Sequence, residues 1–245
     1  MNTSDYNFIA EAYKRSKQLP FRLYVESYSL HQMMGDITGF NILDLACGEG
    51  FYTRKLKEAG ANRVLGVDLS AKMIELAEAH ERTHLIGCQY LVSDVAKLPY
   101  LGIFDKVVAM YLLNYARTKE ELVSYCRAAY HQLRSGGFFI GYNDNPFNQV
   151  EEYSSYRKYG FTKQAKEDRQ EGDPIHYTFY NTDDTVFTFD NYYLRPQTYA
   201  EAFTEAGFTR FQWVAPELHP SQLDDPFWGQ FMTHPPVIGF LAEKK

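Results

Sequence analysis

The sequence predicts an α/β protein, a doubly wound, mostly parallel sheet with an antiparallel β insertion and an N-terminal helical segment. Three observations predict it. Between Asn41 and Asn143, short apolar runs alternate with amphipathic ones, as in a chain that winds strand and helix in turn. The first run, "FNILDLAC", is apolar almost throughout, as expected of a strand buried on both faces. From Asp144 to Arg195 the rhythm changes to two β-type runs around the turn "NTDD".

The elements follow in order. "AEAYKRSK" and "FRLYVESYSLHQMM" have helical periodicity and are separated by Pro20. After the first strand, "FYTRKLKEAG" predicts a helix closed by Gly60. "NRVLGVDLS" is the second strand, and Ser70 is placed to cap the helix "AKMIELAEAHERT". "CQYLVSDVAKLP" is a third strand with its loop, and "FDKVVAMYLL" a fourth. "TKEELVSYCRAAYHQLRSGG" predicts a helix capped by Thr118 and stopped by Gly136–Gly137, before a fifth strand "FFIGYN". "PIHYTFYN" and "TVFTFDNYYLR" form the inserted hairpin, expected to act as a lid. The α/β pattern resumes with the helix "PQTYAEAFTEAGF", ending at Gly207, and the strands "TRFQWVAPEL" and "PPVIGFLAEKK". The expected organisation is one domain, 1–245. It comprises a helical segment at 1–38, an α/β core at 39–143, the insertion at 144–195 and a closing helix with two strands at 196–245.

Composition narrows the function. The 245 residues are 45% hydrophobic and 23% charged, which allows a sizeable core. A net charge of −6 without any basic tract argues against nucleic acid as a partner. The apolar runs fall far below the ~18 residues of a membrane span, so no membrane partner is expected. Met1 to Ala10 is polar and contains Asp5, unlike a secretory signal. Cys47, Cys88 and Cys126 are scattered without metal spacing, a usage that suits the cytoplasm. Asp144, Asp168 and Asp173 lack histidines at ligand spacing, so no metal is expected. Monomer and homodimer remain equally open. Tyrosine and phenylalanine are abundant, at 20 and 18, and many follow Gly141. They serve either core packing or the stacking of a flat ligand.

The turn "LDLACGEG" sets Gly48 and Gly50 between a strand and a helix, where glycine admits a ligand close to the backbone. Asp68, 24 residues after Asp44, ends the second strand and can accept both hydroxyls of a ribose. Asp94 ends the third and can accept an adenine amine, with Val95 and Leu98 against its rings. Each aspartate taken singly is better read as a helix or turn cap; three at consecutive strand ends favour binding. A dinucleotide would need a pyrophosphate site and usually G-x-G-x-x-G. Here Phe51 follows Gly50, no third glycine is present, and Glu49 would oppose a pyrophosphate. Asp44 instead suits the sulfonium and ammonium of S-adenosylmethionine.

Together "LDLACGEG", "GVDLS" with "MIELA", "SDVAKLP", "FDKVVAMYLLNYA" and "LRSGGFFIGY" resemble class I S-adenosylmethionine-dependent methyltransferases over Ile42 to Tyr142. The resemblance implies a seven-stranded sheet closed by the C-terminal strand pair, S-adenosylmethionine as cofactor and S-adenosylhomocysteine as product. Ala46 departs from it by standing where a first glycine is usual. The cofactor residues it implies are Tyr13, Arg22, Asp44, Ala46, Gly48, Gly50, Asp68, Leu69, Met73, Asp94, Val95 and Met110. Among them, Tyr13 of a helical cap would close over the methionine end and Arg22 would pair with its carboxylate. For both, a solvated helix face is the competing reading.

Ligands of such sheets lie beyond the strands' carboxyl ends. This brings Tyr111, Asn114, Tyr115 and Asn143 to the acceptor, with Tyr177, Tyr180, Tyr192 and Arg195 added by the insertion and Tyr6 by the N-terminus. Tyr6, His176 and Tyr180 are the candidate general bases. The segments "DYNFIAEAYKRSKQLPFRLYVE" and "DLACGEGFYTRKLKEAG", with the aromatic insertion, are most similar to toxoflavin-type azapteridine N-methyltransferases. This implies a small aromatic or heterocyclic acceptor methylated on nitrogen. Methylation of oxygen on another small metabolite, nicotinamide chemistry and cofactor binding without catalysis are the alternatives.

Overall fold

In a computed structural model, residues 3–245 are described, with side chains from Ile9 onward. The side chain of Tyr6 lies outside the described residues.

Helix α1 (Thr3–Ser16) leads into a π-helical turn at Arg22–Glu26, which continues as α2 (Ser27–Met34). The core then alternates through β1 (Asn41–Leu45), α3 (Phe51–Glu58), β2 (Arg63–Asp68), α4 (Ala71–His84) and β3 (Gln89–Val92). β4 (Phe104–Met110), α5 (Lys119–Gln132) and β5 (Leu133–Asp144) follow. The expected caps form. The Ser70 and Thr118 side chains accept from the Met73 and Glu121 amides, satisfying N–H groups that have no partner within the helix.

The stop of α5 differs from expectation. The helix ends at Gln132, and Leu133 already pairs with Phe104. Lys244 donates from Nζ to the carbonyls of Tyr130 and Leu133 at 2.8 and 2.7 Å, satisfying the helix end from the far terminus. The Gly136–Gly137 pair belongs to a strand start that carries a bulge, not to a helix cap.

The insertion holds one strand more than the predicted hairpin. A 3₁₀ segment at Val150–Tyr159 leads into β6 (Phe161–Gln164), which pairs antiparallel with β7 (Pro174–Tyr180); β7 in turn pairs with β8 (Val186–Tyr192). Helix α6 (Pro196–Ala206) starts on proline and ends at Gly207, and β9 (Arg210–Val214) follows. Short turns, a single-turn helix α7 (Gly229–Thr233) and β10 (Val237–Glu243) complete the chain.

The main sheet has seven strands in the order β3-β2-β1-β4-β5-β10-β9. β10 runs antiparallel to both neighbours, and the other pairs are parallel. Alternate residues pack on opposite faces. Ile42, Val64, Val108 and Ile140 join the core shared with α1–α4 and the insertion. Leu43, Val67, Val107 and Phe139 join the core under α5 and α6. The strands are laid down outward in one direction from β1 to β3 and in the other from β4, so a crevice opens between β1 and β4 at their carboxyl ends. Among the described residues, no helix is long and apolar enough to cross a membrane.

Candidate functional site

A cavity of about 210 Å³ lies in that crevice. Ala46 and Gly48 line it from the turn after β1, Asp68, Leu69, Ser70 and Met73 from the end of β2 and the start of α4, and Asp94, Val95 and Ala96 from the end of β3. Met110, Leu112 and Tyr115 close it after β4, Ser124 and Tyr125 from α5, and Tyr13 from α1.

The turn is built for close approach. Gly48 and Gly50 have φ of +56° and +82°, the left-handed region that glycine enters without strain. A Cβ on Gly50 would stand 2.5 Å from the Tyr90 hydroxyl. A Cβ on Gly48 would meet the Tyr13 ring at 3.9 Å, so Tyr13 roofs the turn. Ala46 holds φ +57° without being glycine, a conformation that costs about 1–2 kcal/mol.

Three carboxylates meet this turn in different ways. Asp68 accepts from the Gly48 and Ser70 amides, both at 2.8 Å, and so ties β2 to the glycine turn. Asp94 accepts from the Ala96 amide at 2.9 Å and caps a 3₁₀ turn. Asp44 lies beneath, fully buried; one oxygen accepts from the Thr53 hydroxyl at 2.6 Å, and Oδ1 has no partner. Burial pushes the Asp44 carboxyl up to about 7, against the Thr53 hydrogen bond and the charge of Lys17, which lower it. Burial raises Asp68 as well, against its amide donors.

A second, smaller chamber of about 20 Å³ adjoins the first, and Tyr13 and Tyr115 belong to both walls. The inner face of the insertion lines it with Phe161, Tyr177, Phe179 and Phe189. These rings lie nearly parallel, Tyr177 and Phe189 being 5.4 Å apart at 1° and Phe179 and Phe189 5.6 Å apart at 19°. Arg22, Tyr111 and Asn191 supply its polar atoms. Behind it Glu26 is wholly buried and accepts from Arg22 at 2.9 and 3.1 Å, from the Tyr52 hydroxyl at 2.6 Å and from the Tyr111 hydroxyl.

A family profile described as a methyltransferase domain matches residues 42–137. The chain is 30% identical over 173 residues to N-demethylindolmycin N-methyltransferase of Streptomyces griseus, covering 68% of each. It is 29% identical over 121 residues to a ubiquinone biosynthesis O-methyltransferase of Bordetella avium, covering 48% of each, less than half of that relative's length. The fold is shared with a S-adenosylmethionine-dependent methyltransferase of Clostridium acetobutylicum, at TM-score 0.66 and 18% identity over 98% of both chains. It is also shared with DhpI in its complex with SAM and HEP, at TM-score 0.61 and 18% identity over 98% of this chain and 94% of that one.

The chain belongs to the S-adenosylmethionine-dependent methyltransferases.

Most of the methyltransferase residues expected at the cofactor line the larger cavity, namely Tyr13, Ala46, Gly48, Asp68, Leu69, Met73, Asp94, Val95 and Met110. Gly50 shapes the turn behind them, and Asp44 sits below it. Arg22 is elsewhere, held by Glu26 at the smaller chamber. The cation beside the aspartates is Lys17, buried, with its ammonium 4.7 and 5.0 Å from the Tyr13 and Tyr52 ring centres. No motif in the sequence singled it out. Glu49 also differs from expectation. Its carboxylate pairs with Arg54 at 2.7 Å, so its charge is neutralised locally, and the acidic residues of the cavity wall are Asp68, Asp94 and Glu121, with Asp44 buried beneath.

The expected acceptor residues divide. Tyr111, Tyr115 and Tyr177 line the smaller chamber. Asn114 and Asn143 are buried at the ends of β4 and β5, and Asn143 donates to the Tyr199 hydroxyl at 2.9 Å. Four others face away. His176 is exposed and lies 2.6 Å from Asp190, Tyr180 lies under Arg157, Tyr192 accepts from Arg117, and Arg195 pairs with Glu171. Strand alternation explains the first two, because residues 175, 177 and 179 of β7 point inward and 176, 178 and 180 do not. The same alternation in "VFTFDN" brings Phe187, Phe189 and Asn191 inward, a signal available in the sequence.

Proposed function

We propose that this methyltransferase transfers the methyl group of S-adenosylmethionine to a nitrogen of a small, flat heterocycle of the toxoflavin-like kind. The observation that carries the reading is the junction of the two cavities across Tyr13 and Tyr115. One cavity has the cofactor's polarity and the other is walled by stacked rings. The name of the indolmycin N-methyltransferase, a relative over two thirds of the chain, supports nitrogen as the acceptor.

The residues fit the cofactor. Asp68 has the position to hold the ribose hydroxyls, Asp94 and Val95 the adenine, and Tyr13 the methionine end. The unpartnered oxygen of Asp44 favours positive charge in the water-poor floor of the site. Lys17 takes the role toward the carboxylate first expected of Arg22. When bound, S-adenosylmethionine supplies a methyl group already activated on a sulfonium. The chain therefore has to bind, orient and exclude water, and orientation alone is worth ~7–11 kcal/mol of barrier.

Among the described residues, the two phenols bound to carboxylates in the smaller chamber also favour nitrogen. Tyr111 and Tyr177 donate their hydroxyls to the buried carboxylates Glu26 and Asp144. Burial and these carboxylates hold both phenols well above their ordinary range, so neither is a base near neutral pH. A ring nitrogen with its own lone pair needs none, whereas a hydroxyl acceptor does.

The test is mass spectrometry of candidate heterocycles incubated with enzyme and S-adenosylmethionine, with the methyl position assigned by NMR. Methylation of nitrogen on a flat heterocycle is expected. Methylation of oxygen alone, or transfer only to non-planar acceptors, would overturn the reading.

A further inference from the structure

We propose that Tyr52, which lines neither cavity, is a positioning residue for the cofactor: met on its ring face by Lys17 and held at its hydroxyl by Glu26, it sets the Lys17 ammonium at the methionine end. The inference rests on the proposed pairing of Lys17 with the cofactor's carboxylate.

Lys17 is 5% exposed, and among the described residues no carboxylate forms an ion pair with it. Its one hydrogen bond among them, to the Tyr13 hydroxyl, is long at 3.4 Å. Ring faces hold it instead, with the ammonium 4.7 Å from the centre of Tyr13, 5.0 Å from Tyr52 and 6.0 Å from Phe51. Burial raises the Asp44 and Asp68 carboxyls and the charge of Lys17 opposes it, yet neither carboxylate pairs with Lys17. Buried charges are ordinarily paired, so an ammonium kept among aromatic rings suits a carboxylate that a ligand brings.

Tyr52 ties those rings to the cofactor turn. It stands in the first turn of α3, whose N-cap is Gly50, and is 3% exposed. Its hydroxyl donates to Glu26 at 2.6 Å. Glu26 is itself held: wholly buried in the π-helical turn, it also accepts two hydrogen bonds from Arg22 and one from Tyr111. Lys17 and Glu26 belong to one short stretch, 17–26, which therefore meets Tyr52 at two points and is registered by it on the helix that the glycine turn begins. Without the Tyr52 ring, Lys17 loses its nearest contact on α3 and keeps Tyr13, which belongs to α1.

The experiment is calorimetry on the full chain with S-adenosylhomocysteine and, separately, with its decarboxylated analogue, which lacks only the carboxylate. The wild type is expected to bind S-adenosylhomocysteine about tenfold tighter or more, the worth of one charge-assisted hydrogen bond. Tyr52→Leu is expected to cut that preference about threefold or more, the weight of a cation–π contact, while affinity for the analogue stays within about twofold. Tyr52→Phe keeps the ring face and loses only the bond to Glu26, so it should restore the preference in part. Equal affinity of the wild type for the two ligands, an unchanged preference in Tyr52→Leu, or parallel loss of both ligands overturns the inference. If Tyr52→Leu does not fold, lysine side-chain NMR of the wild type decides. The ring-shifted Lys17 signal, assigned by its loss in Lys17→Met, is expected to respond to S-adenosylhomocysteine and not to the analogue, and to stay ring-shifted. Loss of the ring shift on binding, or an equal response to both ligands, overturns the inference. Failure of the wild type to bind S-adenosylhomocysteine would instead overturn the proposed function, and the inference with it.

Discussion

The Thr53 hydroxyl donates to one oxygen of Asp44 at 2.6 Å, while the other oxygen of that carboxylate is buried with no partner. Burial outweighs the hydrogen bond, and the group titrates at about 7 instead of in the usual carboxylate range. In the free protein this raised value means that stability is highest with Asp44 protonated and declines as pH rises through about 7. Binding has the opposite sign, because a cationic ligand favours the carboxylate. Affinity for S-adenosylmethionine should therefore increase with pH and level off above about 7, weakening by up to about tenfold per unit below it. Thr53→Val should move that midpoint upward. Calorimetry between pH 5.5 and 8.5 measures both, and a flat profile would count against Asp44.

Asp68 is expected to matter more for binding than for folding. Charge-assisted hydrogen bonds of the kind proposed to the ribose are worth about 1.5–3 kcal/mol each, so losing two weakens affinity by at least ~100-fold. Asp68→Ala should abolish the rise in melting temperature that S-adenosylhomocysteine gives the wild type. Retention of that rise would remove Asp68 from the ribose site.

Ala46 adopts a left-handed backbone that glycine would adopt freely. Ala46→Gly relieves about 1–2 kcal/mol of strain and costs about 0.4–1 kcal/mol through the more flexible unfolded chain. The variant should fall between neutral and about 1.5 kcal/mol more stable in urea denaturation. Ala46→Val, with its branch at Cβ, should be clearly destabilised.

Glu26 and Arg22 form a buried pair, and removing one partner strands the other. Glu26→Leu alone should cost about 3–5 kcal/mol, whereas Glu26→Leu combined with Arg22→Met should recover much of that loss. A double-mutant cycle in denaturant reads the coupling; additive losses would mean that the two charges act independently.

His176 is exposed on the outer face of β7, beside Asp190 and away from both cavities. His176→Ala should keep kcat within about twofold, against the ~10²–10⁴-fold loss expected on removing a general base. Steady-state kinetics with an identified acceptor decides between these outcomes.

Much of the donor site was legible because its signals are local. A strand, a glycine turn and a helix follow one another within Asn41–Glu58, and Asp68 and Asp94 mark the next two strand ends. The acceptor chamber was only half legible. Tyr177 and Tyr180 were both expected there, yet they lie an odd number of residues apart on one strand and cannot share a face. Lys17, Phe161 and Glu26 carried no motif, since each acquires its role from distant partners: Lys17 from Asp44 and Asp68, Phe161 from Phe179, and Glu26 from Tyr52 and Tyr111.

By itself, the sequence determined the α/β alternation, the strand ends and the donor, because periodicity, capping and turn chemistry act over a few residues. The tertiary structure decided which charges stay available and which rings face inward. Arg54 neutralises Glu49, Glu26 holds Arg22 at the smaller chamber, and β6 adds Phe161 to the stack of rings. Charge pairing and burial depend on distances between segments far apart in the chain, and those distances exist only once the sheet and its insertion have packed.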